Sequence, residues 1–254
     1  MARTLGDVIG SFIPEAAAPA AERRRICIPV AAGDVLVAAI AWNLSVEISR
    51  AGAPCTLIVA PAEDDGGLWP PAGPGPLGSR LVRGRAGSLA TSAAAAGLPA
   101  SAVELECLSE GLRAETRAQP ERWLLFSSPD PTQLRRVHDQ ILELAANTPK
   151  RPNRPDRPDK PEQPDRPEIR IGVTIHGVRR IAEAQAAFEE LAVAVESVSD
   201  VALASYGLLV DDLHLYRAIV AQRPIGLAHP AAPATRALAD VARLLLDDLE
   251  ADTQ

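Results

Sequence analysis

Two apolar rhythms alternate along this chain. Residues 26–30 and 55–59 are short, nearly unbroken apolar runs, and between them 35–50 is apolar over most of a helix-length stretch. Short runs bounded by turn residues read as buried strands, and the longer stretch reads as a helix sandwiched against a sheet. Residues 31–34 form the turn into that helix, and Gly52 is placed to end it. A strand, a helix and a strand of these lengths predict a right-handed parallel crossover, the unit of a doubly wound sheet.

The pattern weakens over 61–98, where Pro, Gly and Ala dominate and the expectation is loops with short helical pieces at most. Strands are predicted again within 103–108 and, more clearly, at 123–127. Asp130-Pro131 then pairs a helix cap with a first-turn proline, and Leu134, Val137, Ile141 and Leu144 recur at helical spacing. A strand at 169–175 precedes a helix with Ile181, Ala184, Phe188, Leu191 and Val195 on one face. Residues 201–203 with Tyr206 suggest one more short strand. Two helices follow, beginning near Asp211 and Asp212 and near Pro233. The expected class is α/β, a doubly wound and mostly parallel sheet with helices on both faces. One domain spans 25–254 after an N-terminal tail, 1–24.

That domain is interrupted at 149–168. Proline stands at every third position from Pro149 to Pro167 with charged residues between, which is the polyproline II period. The segment joins a helix to a strand of one domain, so a bent or disordered surface loop is expected. Its functional counterpart is a docking site for a partner that reads proline-rich chains.

Composition removes several function classes. The formal charge of -7 gives no basic field for nucleic acid or an anionic membrane. No stretch reaches about 18 uncharged apolar residues, so no membrane span is expected. The acidic C-terminal stretch, LLLDDLEADTQ, argues against a membrane-binding helix. Cys27, Cys55 and Cys107 are far apart in apolar surroundings, an arrangement of buried thiols in a reducing cytoplasm.

Candidate chemistry is sparse. His138, His176, His214 and His229 show no ligand spacing, so no metal site is expected. Asp211, Asp212, Asp247, Asp248 and Glu250 read as capping and solvating charges. Ser127 and Ser128 lie at a strand end without the Gly-x-Ser-x-Gly elbow of a nucleophile. No catalytic residue is assigned.

Two segments resemble MinD and FlhG type ATPases. Ser127-Ser128-Pro129-Asp130-Pro131-Thr132 is similar to the strand end, Pro-Glu-Pro-Thr turn and helix of that family. Tyr206-Gly207, the helix near Arg217-Ala218, then Gln222-Arg223-Pro224 and the final helix resemble the FlhG branch. The resemblance implies a P-loop fold with ATP and Mg²⁺ at the first turn. Aligning Asn43-Leu44 with the family's Asn-Leu pair puts the phosphate loop on Ala32, Gly33, Asp34, Val35, Leu36, Val37 and Ala38.

At these positions the family's two lysines become Ala32 and Val37, and its metal-binding hydroxyl becomes Ala38. Only Gly33 remains of three glycines. A phosphate cradle needs converging amides, glycines for close approach, a lysine and a hydroxyl. Asp34 instead brings a negative charge, and like unit charges about 4 Å apart repel by about 4 kcal/mol at an effective dielectric near 20. Its ordinary role is to cap the Val35 helix. The Asp-x-Asp positions after the second strand are Val59 and Pro61. Glu104 or Glu106 could replace another missing acid, and His176 stands near the adenine-side Asn position.

The expectation is therefore a non-hydrolysing, MinD/FlhG-like protein with no cofactor. It would bind a protein partner, such as an intact paralogue or a second copy, in cell-pole or flagellar organisation. The alternative is a divergent ATP-binding dimer switch in which Arg83 or Arg85 replaces the lysines. A third reading is an unrelated doubly wound small-molecule binder.

Overall fold

The computed structural model describes residues 24–31, 33–59, 69–84, 102–109, 122–147, 170–199 and 201–251. Ala32, the N-terminal tail before Arg24, the acidic residues at 63–65, Arg85 and the proline-rich segment lie outside them.

The chain opens with β1 (Arg24–Val30), α1 (Val35–Arg50) and β2 (Cys55–Val59), with the boundaries close to those predicted. β3 (Gly73–Pro74) and β4 (Arg80–Arg83) follow, joined by a single tight turn at Pro76–Gly78. The expectation of loops and helical pieces throughout 61–98 is thus corrected within its described part. β4 is one half-buried turn-flanked run, Arg-Leu-Val-Arg, too short to register as a period.

β5 (Val103–Ser109) and β6 (Arg122–Ser127) lead to α2 (Pro131–Asn147), then β7 (Arg170–Val178) and α3 (Ile181–Glu196). β8 (Leu203–Val210) is a full strand and not the short one expected. Its sequence, LASYGLLV, hides the strand period because its register with β7 shifts twice, between Val173 and Ile175 and between His176 and Val178. Gly207 in β8 takes φ +89, which a side chain would resist. The chain ends with α4 (Leu213–Val220), the short α5 (Ile225–Ala228), which sequence pattern did not show, and α6 (Pro233–Ala251).

The described strands form one sheet in the order β3-β4-β2-β5-β1-β6-β7-β8, parallel except for the β3 edge. Every parallel pair requires a crossover, and the order reverses about β1, between β5 and β6. In open α/β sheets such a switch point, at the C-terminal ends of the strands, is where ligands bind.

Each face of the sheet has its own core. One contains Ile28, Leu57, Leu105 and Leu124 under α1 and α6. The other contains Cys27, Leu125, Val173 and Ile175 under α2 and α3. The three cysteines are buried and unbridged, and burial pushes the Cys55 and Cys107 thiols above their ordinary values.

The two cores are tied to their outer layers by polar contacts. Asn43 Oδ1 in α1 accepts from the Ile225 amide at 2.7 Å, and its Nδ2 donates to the Ala39 carbonyl. Arg122 at the start of β6 bonds the Tyr206 hydroxyl, the Asp248 carboxylate and the Asp248 carbonyl, fastening the end of α6 to the sheet. Asp248 is therefore not a solvating charge.

Candidate functional site

The switch point places the β1–α1 turn at the expected site, and its geometry is built from short-range bonds. Gly33 takes φ +78, a conformation that glycine alone adopts without strain, so the turn can close in three residues. The Asp34 amide donates to Ala31 O at 3.0 Å, and the Val35 amide donates to Gly33 O at 2.9 Å. Asp34 Oδ1 then accepts from the Val37 amide at 3.0 Å, the N-cap bond predicted from its position. Three of the amides in the turn are thus engaged within it.

Val37 and Ala38 point inward and are buried, whereas Val35 is half-exposed and Gly33 open. Val37 and Ala38 therefore contribute to the core beneath α1. Leu36 packs at its margin.

The second oxygen of Asp34 faces Arg136, whose Nη2 lies 3.6 Å from Oδ2. Arg136 projects from α2, across the sheet switch from α1. His176, near the C-terminal end of β7, lies in the same electrostatic neighbourhood. Burial holds its pKa below the ordinary histidine value; Asp34 pulls it up and Arg136 pushes it down. Its Nδ1 has no hydrogen-bond partner among the described residues. A carboxylate, a guanidinium and an imidazole thus converge from three separate elements, the β1–α1 turn, α2 and β7. Sequence reading noted Asp34 and His176 separately and missed Arg136, because no spacing connects them.

The other candidates fall elsewhere. The β1–β5 register sets Glu104 beside Arg25 and Glu106 beside Cys27, on the N-terminal side of Val30. Arg25 pairs with both, at 3.3 Å to Glu104 and 3.9 Å to Glu106. Glu104 is five β1 positions from the turn, about 17 Å at the usual rise per residue. Both glutamate side chains are buried within the sheet and face Arg25, away from the turn. Arg83 is three strand spacings from β1, about 14 Å, and its Nη2 donates to the Trp69 and Pro70 carbonyls.

Ser127 is wholly buried at the end of β6, with Oγ donating to the Ser128 carbonyl. Asp130 caps α2 by accepting from the Thr132 and Gln133 amides, as the turn motif predicted. Asp212 caps two helices: Oδ1 accepts from the His214 amide at 2.8 Å and Oδ2 from the Ala234 amide at 3.0 Å. His214 and His229 approach to 4.5 Å between ring centroids, though no group of three or more metal-binding side chains exists among the described residues.

Sheet order, helix layers and switch-point turn together define the P-loop type of doubly wound α/β fold. The chain has the fold of MinD and ParA ATPases. It is similar to MinD cell division protein of Aquifex aeolicus, with a TM-score of 0.59 and 13% identity, covering 88% of this chain and 97% of that one. A ParA family ATPase of Chlorobium tepidum TLS aligns with TM-score 0.58 and 12% identity over 87% and 98%. The MinC:MinD cell division protein complex of Aquifex aeolicus aligns with TM-score 0.58 and 15% identity over 88% and 96%. No protein-family model and no curated protein sequence matches the chain. Among the described residues no helix is long and apolar enough to cross a membrane.

Proposed function

We propose that this chain is a non-hydrolysing pseudo-ATPase on the MinD/ParA frame, acting as a protein-binding, scaffold or regulatory module. The carrying observation is the Asp34 carboxylate on the Val37 amide. A helix N-terminus attracts anions because its amides are free and its dipole is positive. Here the chain's own anion occupies that position and is itself countered by Arg136.

A nucleotide with Mg²⁺ does not fit these residues. The turn offers no lysine, the hydroxyl position is the buried Ala38, and a phosphate would meet the Asp34 charge. No cofactor is expected and no reaction step is assigned. Among the described residues Arg136 already faces Asp34 and Arg83 is bonded to the Trp69 and Pro70 carbonyls, which argues against a divergent site built from Arg83.

The partner is expected to be a protein, either an intact MinD/FlhG-type paralogue or a second copy. A solved neighbour of this fold is a MinC:MinD complex, so the frame supports protein association. Cell-pole or flagellar organisation in the cytoplasm is the setting the sequence resemblance suggests. Sedimentation with and without ATP and Mg²⁺ separates this reading from the dimer switch. The same species in both conditions is expected; a nucleotide-driven dimer would support the switch instead.

A further inference from the structure

We propose that the outward face of α4 is a docking site for a short acidic amphipathic segment of a partner protein. This goes beyond the proposed function by naming a surface and the chemistry that fits it, and it holds whether or not nucleotide binds.

α4 is apolar on two faces. Leu215 and Ala218 turn inward and are buried. Leu213, Tyr216 and Val220 recur at i, i+3 and i+7 and stand outward, 60%, 41% and 85% exposed. That spacing forms one continuous stripe on a helix. A solvated helix ordinarily carries polar residues there, so a row of three large apolar residues is a surface with an unmet contact. The stripe is held rigidly. Asp212 caps α4, Asp211 accepts from the Tyr216 hydroxyl at 3.2 Å, and the helix packs against α5 and α6.

Charge selects the occupant. Arg217 lies on α4 beside Leu213 and Val220, and Arg223 follows the helix, its amide bonded to the Ala218 carbonyl. Both side chains are exposed, and neither guanidinium has a carboxylate partner among the described residues. On a chain of net charge -7, uncompensated Arg217 beside the stripe, with exposed Arg223 just past the end of the helix, marks where an anionic segment fits. Size selects it as well. Three side chains expose a few hundred Å², well short of the roughly 800 Å² per partner of a standard interface between folded proteins. A helix that lays apolar i, i+3 and i+7 anchors along the stripe matches it.

The test uses the full chain and two synthetic helical peptides. Both carry leucine at i, i+3 and i+7; one has glutamate at the flanking positions, the other lysine. Titration calorimetry should show the glutamate peptide binding and the lysine peptide failing to bind. Val220→Asp should weaken the glutamate peptide about tenfold or more, because it removes a buried anchor and adds a like charge. Arg217→Glu with Arg223→Glu should reverse the preference. Tyr216→Ala is a second probe of the stripe should Val220→Asp not fold. No binding by the glutamate peptide, equal binding of the two peptides, or undiminished binding to Val220→Asp overturns the proposal. So does a wild-type dimer that Val220→Asp converts to monomer, since a second copy would then be the occupant.

Discussion

Asp34 Oδ1 accepts the Val37 amide at 3.0 Å, so the first turn of α1 is closed by a side chain of the same chain. Sequence position alone predicts a cap there. The structure adds that the capping carboxylate also faces Arg136 at 3.6 Å and acts on His176. The turn is thereby a structural joint between α1, α2 and β7.

Removing that cap should cost stability. Asp34→Ala is expected to lower unfolding free energy by about 1 kcal/mol, within the range for lost N-caps. Asp34→Asn keeps an acceptor and loses only the part-exposed pairing with Arg136, so its cost should be well below about 1 kcal/mol. Urea unfolding of the two variants measures the difference. Equal losses would show that the charge, not the cap, is what matters.

Asp212 should be more sensitive. One buried carboxylate caps α4 through His214 and α6 through Ala234, so Asp212→Ala removes two caps at once. A loss of about 2 kcal/mol or more is expected from two such bonds. Hydrogen exchange should speed at the His214 and Ala234 amides together. Acceleration at one alone would contradict the shared role.

Gly172 should tolerate no side chain. A Cβ there would run into the Tyr206 ring, and that ring is fixed because its hydroxyl bonds Arg122 and Asp248. Burial, then the Asp248 contact, pushes the Tyr206 pKa up to about 12, so the hydroxyl stays a donor at physiological pH. Gly172→Ala should cost about 1–3 kcal/mol by overpacking. In a Tyr206→Leu background the added cost should shrink, and a double-mutant cycle reads that coupling directly. Strict additivity would refute the clash.

Acidification should unfold the protein partly through His176. Its folded pKa lies below the ordinary 6.5, first because of burial, with Arg136 adding to the depression and Asp34 opposing it. The unfolded chain therefore binds the proton more readily. The stability this group contributes is present above 6.5 and is lost as pH falls from there through the lowered folded value. His176→Gln should flatten that part of the stability profile. Glu47 acts in a separate window and with the opposite sign, since burial raises its pKa above 4.5. Arg136→Met should let the His176 pKa rise, as NMR titration of the imidazole would record.

Much of the frame was legible because local chemistry dictates it. Unbroken apolar runs gave β1, β2 and β6, and Asp130-Pro131 marked the start of α2. β4 and β8 were obscured for physical reasons: a run of four residues is too short to show a period, and a strand with register shifts and Gly207 loses its alternation. At the site, the Asp34 cap could be read from its position before the α1 helix. The Asp34–Arg136–His176 convergence could not, since it is made by the strand order and not by spacing. The same limit applied to Glu104 and Glu106, whose pairing with Arg25 follows from the β1–β5 register.

The central claim is that the β1–α1 turn no longer receives a nucleotide. Isothermal titration of the full chain with ATP and Mg²⁺ tests it most directly. No heat of binding is expected across the micromolar range, whereas saturable micromolar binding would contradict the account.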